Sequence, residues 1–334
     1  MKSIYYSFTV VILILHLNGF SQPTSTYAEK LGYPKGSKLL ILHVDDAGMS
    51  AESNAGAIMA MEKGISNSCS IMMPCGWVPG FIHYLKAHPN IDAGIHLTIT
   101  SEWKDYRWGP LMGKTEVPGL VDSEGDLWPD VSDVQKHATA EEVGKEINAQ
   151  LERCIAFGWK PTHLDTHMGA MFASPAFIQK YVKLGIDNKI PVMLPAGHST
   201  LIKKYMYLAD AQVAMMHLLG EQLWNAGLPV LDDLHNESYD WQIPAEAGKD
   251  SIKLSNFKTQ KYIQAFQSLK PGITMMIMHC TLSTDHFDSI TSTGTLRKAD
   301  LLAMINPELK EEIIKDNIVL VTWRELMERR SKIK

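Results

Sequence analysis

The chain has 334 residues, 45% of them apolar and 21% charged, and a formal net charge of −5. That is enough chain to bury a sizeable core in one large domain or two smaller ones. The mildly acidic balance, with no block of Lys or Arg, gives no electrostatic footing for nucleic-acid binding.

Taken in order, Lys2 precedes the apolar run Phe8 to Leu15, and the polar stretch Asn18 to Ser25 follows. A charged start, a short apolar core and a polar exit form the pattern of a secretory signal peptide. An exported chain is therefore expected, with residues 1–21 as the signal peptide and residues 22–334 as a single folded domain. The run is short for a bilayer span, so no stable membrane insertion is expected. An N-terminal anchor is the competing reading. The cysteines Cys69, Cys75, Cys154 and Cys280 match no zinc or redox spacing and read as buried thiols.

The stretch Leu39 to Ser50, LLILHVDDAGMS, opens as a buried strand and ends on two adjacent carboxylates, Asp45 and Asp46. Further short apolar runs follow at Ser68 to Met73, Ala93 to Thr98, Thr162 to Thr166, Pro191 to Leu194, Pro229 to Leu234, Ile273 to His279 and Ile318 to Thr322. Helical stretches separate most of them, one opened by the capping box Thr139 to Glu142 and another by Ser174-Pro175. Strands and helices alternate about eight times, which predicts parallel βαβ units and an irregular, TIM-barrel-like (β/α) barrel. A doubly wound sheet is the runner-up, but no Gly-rich GxGxxG turn follows a strand. Ser101 to Lys136 breaks the pattern with Trp103, Trp108 and Trp128, long for a connecting loop. It reads either as stacking surface for sugar rings or as ordinary packing.

The conspicuous polar residues fall at predicted strand ends: Asp45 and Asp46, His96, then His163, Asp165 and His167, Asp232 and Asp233, and His279. In a parallel barrel those ends share one face, so residues far apart in sequence converge. A lone His among apolar neighbours is ordinarily a hydrogen-bonded core residue, whereas several His around an Asp pair point to a metal or catalytic site. A catalytic divalent ion commonly takes three His or carboxylate ligands and leaves a position open. Asp46, His96 and His167 fit as ligands, Asp45 as general base and His279 as acid. Zinc suits that set, with magnesium, cobalt and manganese left open.

The segments LHVDDAGMS, Gly94-Ile-His96-Leu97, Pro161 to His167 and Met278-His279-Cys280 resemble the YdjC-like carbohydrate deacetylases. These include the diacetylchitooligosaccharide deacetylases and are similar in site design to NodB-type polysaccharide deacetylases. The stretches Thr295-Leu-Arg297 and Trp323 to Leu326 are similar to that family's tail. The resemblance spans about Lys38 to Met327. It implies an irregular (β/α) barrel, metal-dependent removal of N-acetyl (or O-acetyl) groups from a carbohydrate, and the same roles for Asp46, His96, His167, Asp45 and His279. His279 would serve as acid or would stabilise the tetrahedral intermediate. Asp165, Trp103, Trp108, Asp232 and Arg297 are the expected substrate contacts. The chain departs from the family at Met168-Gly169 and Leu194-Pro195, expected pocket positions. Two readings compete with a deacetylase: a metal-dependent hydrolase of another amide or a phosphoester, and a carbohydrate-binding protein without catalysis. A glycosidase would need two separated carboxylates, such as Asp45 with Asp232 or Asp233. The oligomeric state is left open, a homodimer included.

Overall fold

The computed structural model describes residues 25–333, so the expected signal peptide lies outside the described residues. The strands are β1 (Lys38–Ala47), β2 (Ser68–Ile71), β3 (Ala93–Leu97), β4 (Leu164–Thr166), β5 (Asp233–His235), β6 (Gly272–Met278) and β7 (Ile318–Leu320). Every pairing between them is parallel, in the order β4-β3-β2-β1-β6-β5, with β7 added on β1. Two isolated bridges, Leu164 to Val192 and Pro195 to Leu231, carry the ring from β4 round to the residues before β5. The result is the expected irregular (β/α) barrel.

The irregularity has local causes. The expected strand at Pro191 to Leu194 is reduced to bridges, because Pro191 and Pro195 carry no backbone donor for a ladder. At Lys38 to Leu40 β1 pairs with β7, and from His43 onward it pairs with β2. The Asn67 side chain closes that change of partner. It accepts from Leu42 N at 2.8 Å and donates to Val321 O at 2.9 Å.

Leu39 to Ala47 is buried along its whole length, as expected for a parallel strand covered on both faces. Helices fill the outer layer. The Thr139 capping box opens the helix Ala140–Ala156, and Ser174 with Pro175 opens Pro175–Asn188. Gly56 allows the helix Ala51–Glu62 to sit on the loop after β6: a Cβ there would lie 2.4 Å from Cys280 O. All four cysteines are free and buried. Among the described residues no helix is long and apolar enough to cross a membrane.

Candidate metal centre

Successive residues of a regular strand face opposite sides, so Asp45 and Asp46 should diverge. They do not, because β1 loses its regular register between Val44 and Ala47 and Asp46 adopts a left-handed φ of 67°. Asp tolerates that conformation better than most residues, and such local strain is commonly stored at functional sites. Both carboxylates turn into the barrel mouth, with Asp45 6% and Asp46 1% exposed.

His96 arrives from β3 and His167 from the end of β4. His96 Nε2 and His167 Nδ1 each lie 3.4 Å from Asp46 Oδ1, and one ligand atom from each of the three residues falls within 4.8 Å of the others. Asp46 Oδ1 is buried without a hydrogen-bond partner. The remote nitrogen of each imidazole is held by a carboxylate. His96 Nδ1 is 2.8 Å from Asp165 Oδ1, its partner in the β3–β4 register, and His167 Nε2 is 3.0 Å from Glu102 Oε2. Metal-binding histidines are typically oriented in this way, the outer N–H on a carboxylate and the inner lone pair free. The donor set therefore fits a divalent ion. Two overlapping groups, His43 with His163 and Asp165, and Asp45 with His96 and Asp165, also bring their atoms within that distance. Asp165, common to both, is hydrogen-bonded to His96 through Oδ1 and lies 2.8 Å from His43 Nε2 through Oδ2.

Charge separates the two neighbouring carboxylates. Burial would raise Asp46, but Arg297, whose Nη1 is 2.5 Å from its Oδ2, and His167 hold it well below the usual carboxylate range. Asp45 has no such partner, and burial leaves it raised despite His96 and His43. Burial disfavours charge on His167, yet Glu102 and Asp46 lift its pKa to about 10. His279 is pushed well down by burial and then by Arg297. Its Nε2 is 3.9 Å from Asp45 Oδ2, and its side chain, 16% exposed, is more open than those of Asp45, Asp46, His96 and His167.

Of the expected substrate contacts, one lies away from the site and three are buried against it. Asp232 lies at the other end of the barrel, because β5 begins only at Asp233 and pairs there with Thr274 near the start of β6. Its carboxylate accepts from Tyr27 N, Ala28 N and Ile273 N at 2.8, 3.2 and 2.9 Å, fastening the helix Tyr27–Lys30 to the barrel floor. Asp233 accepts from Leu201 N and Ile202 N beside it. Asp165 is buried behind His96 and orients it. Arg297 is buried, its guanidinium occupied by Asp46, Thr293 Oγ1 and Tyr239 OH. Trp108 is 5% exposed, with its indole N–H on Thr100 O, and packs 6.4 Å from the His167 ring. Trp103 alone keeps a half-buried position over the site, 5.6 Å from Arg297. Of the family departures, Met168 is 45% exposed beside His167 with φ 51°, while Leu194 is buried core.

Sequence reasoning missed Glu102, Tyr239 and His43. For His43 a signal existed: it stands two residues before Asp45, hence on the same face of β1. Glu102 lies in a loop and Tyr239 in a short 3-10 turn, Glu237–Asp240, whose approach to the site no periodicity announces.

A barrel with a His and Asp cluster at the C-terminal rim of its strands is the class that fold and site define. The chain belongs to the YdjC-like protein family, whose model matches residues 39–315. A curated relative from Thermus thermophilus, named carbohydrate deacetylase, is 30% identical over 90% of this chain and 97% of its own length. Another carbohydrate deacetylase, from Brevibacillus brevis, is 34% identical over 55% of this chain and 71% of its own. A solved structure from Enterococcus faecalis V583, described as a candidate cellobiose-phosphate cleavage protein, superposes with a TM-score of 0.67 at 19% identity. It covers 87% of this chain and 99% of that one, and shows the shared fold.

Proposed function

We propose that the chain is a metal-dependent deacetylase, a hydrolase that removes N-acetyl or O-acetyl groups from a carbohydrate. The observation that carries this is the unpartnered Asp46 Oδ1 facing one nitrogen each of His96 and His167, with Asp45 and His279 alongside. The relatives named carbohydrate deacetylase support the acetylated sugar as substrate class.

Asp46, His96 and His167 would hold the ion, zinc suiting the set best. The chemistry supplied by an ion there is Lewis acidity toward the acetyl carbonyl and an attacking water. The chain's own groups do the rest. Asp45 takes the proton of the attacking water, and its raised pKa suits a proton acceptor. His279, neutral in its buried setting, donates a hydrogen bond to the developing oxyanion. The proton for the leaving nitrogen is the one Asp45 takes from the water, and His279, whose Nε2 is 3.9 Å from Asp45 Oδ2, can deliver it only after receiving it from there. Arg297 holds Asp46 ionised and in place, and Trp103 offers a ring face at the mouth. Glu102 and Asp165 fix the two imidazoles.

The first test is metal content. Purified protein should carry about one divalent ion per chain, held by three protein ligands as in a catalytic site. His96→Ala and His167→Ala should each lose most of it. Metal content unchanged in both variants contradicts the assignment.

A further inference from the structure

Below the carboxylate pair lies a second polar layer centred on His43, which is fully buried. Its Nε2 lies 2.8 Å from Asp165 Oδ2, 3.2 Å from Asp45 Oδ1 and 3.0 Å from Ser70 Oγ. Its Nδ1 lies 3.0 Å from Ser68 Oγ. Ser68 donates its one hydroxyl proton to Asp92 Oδ2 at 2.8 Å. The Asp92 carboxylate is an acceptor throughout, taking Trp323 N at 3.2 Å and Arg324 N at 3.1 Å as well.

Counting protons along this chain fixes the state of the ring. Nε2 hydrogen-bonds Ser70 Oγ, a hydroxyl that can accept, and lies 2.8 and 3.2 Å from two carboxylate oxygens that would repel a lone pair, so it carries a hydrogen. Nδ1 faces a hydroxyl whose proton is committed to Asp92, so it carries one too. An imidazole with both nitrogens protonated is a cation. The charges around it agree. Arg297 is paired with Asp46, which leaves Asp45 and Asp165 as two buried carboxylates with His43 between them. An uncompensated buried charge is costly, so a cation between the two is favoured. The other ring against His43 is His163, edge-on at 4.9 Å and held neutral by burial. Burial opposes charge on His43 itself, but the bonds to Asp165 and Asp45 lift its pKa to about 9.

We propose that His43 is a positioning residue, a buried imidazolium whose Nε2 stands at ion-pair distance from both Asp45 and Asp165 and so fixes the proton-accepting carboxylate and, through Asp165, the ring of His96. It rests on the reading of Asp45 as base and His96 as ligand given above. The two halves of the site, one reached through β1 and the other through β3 and β4, are thereby tied by one side chain. Glutamine at this position keeps a donor for the two carboxylates, whereas leucine keeps the bulk and removes it.

The test uses the full, zinc-loaded chain with ring-nitrogen-labelled histidine. At about pH 7.5, a unit above the ordinary histidine pKa of about 6.5, NMR should show one buried histidine with both ring nitrogens protonated. Those signals should vanish in His43→Gln. At saturating zinc, His43→Leu should lower kcat about 10- to 100-fold with KM little changed, the range seen when groups supporting metal ligands are lost. His43→Gln should recover part of that loss. A single ring proton on His43, or an unchanged kcat in His43→Leu, overturns the proposal. If neither variant folds, the wild-type spectrum still decides: no buried, doubly protonated ring at that pH is a refutation. Wild-type protein that releases no acetate from any acetylated sugar instead removes the functional reading, and the spectrum then judges the charge on His43 separately.

Discussion

Two carboxylates adjacent in sequence have different partners. Asp46 Oδ1 faces His96 and His167 while its Oδ2 is bound by Arg297; Asp45 faces His43 and, further off, His279. Their asparagine variants should therefore fail in different ways. Asp46→Asn removes a negative ligand, so metal affinity and turnover should fall together and recover in part at high metal concentration. Asp45→Asn should keep its metal and lose kcat by about 10² to 10⁴-fold, the usual contribution of a positioned general base. Added metal should not restore it. Metal content measured beside kcat separates the two. Loss of metal in Asp45→Asn with retention in Asp46→Asn reverses the roles, and near-normal turnover in both makes the pair structural.

At the scale of elements, the barrel was legible because parallel strands buried on both faces are short apolar runs, and β1, β2, β3 and β6 are of that kind. His96, His167 and His279 were legible for a related reason, each ending such a run. Asp232 follows the apolar part of the expected strand Pro229 to Leu234, yet residues 229–231 precede β5 instead of forming it. Which end of a strand a residue occupies depends on pairing with β6, some forty residues away, and no local pattern carries it. The tie of Arg297 to Asp46 spans 251 positions, and no local pattern announces it. The floor role of Asp232 has its own consequence. Asp232→Ala leaves three backbone donors without their acceptor, at about 1–3 kcal/mol for each one left unsatisfied. Denaturant unfolding should show a marked loss of stability while the folded fraction keeps its kcat. Normal stability with lost turnover would place Asp232 in the site after all.

At the scale of the whole molecule, the barrel brings residues from four separate strand ends into one buried cluster, and the family relationship extends over most of the chain. The central claim is that this cluster removes acetyl groups with a bound divalent ion. The most direct measurement is acetate release from a panel of N- and O-acetylated sugars and oligosaccharides, by the same protein as purified, after chelation, and after chelation with zinc, magnesium, cobalt or manganese restored. Acetate released from at least one sugar, abolished by chelation and recovered with one of these ions, is the predicted result. Acetate release undiminished by complete removal of the metal, or none from any sugar by fully metal-loaded protein, contradicts it.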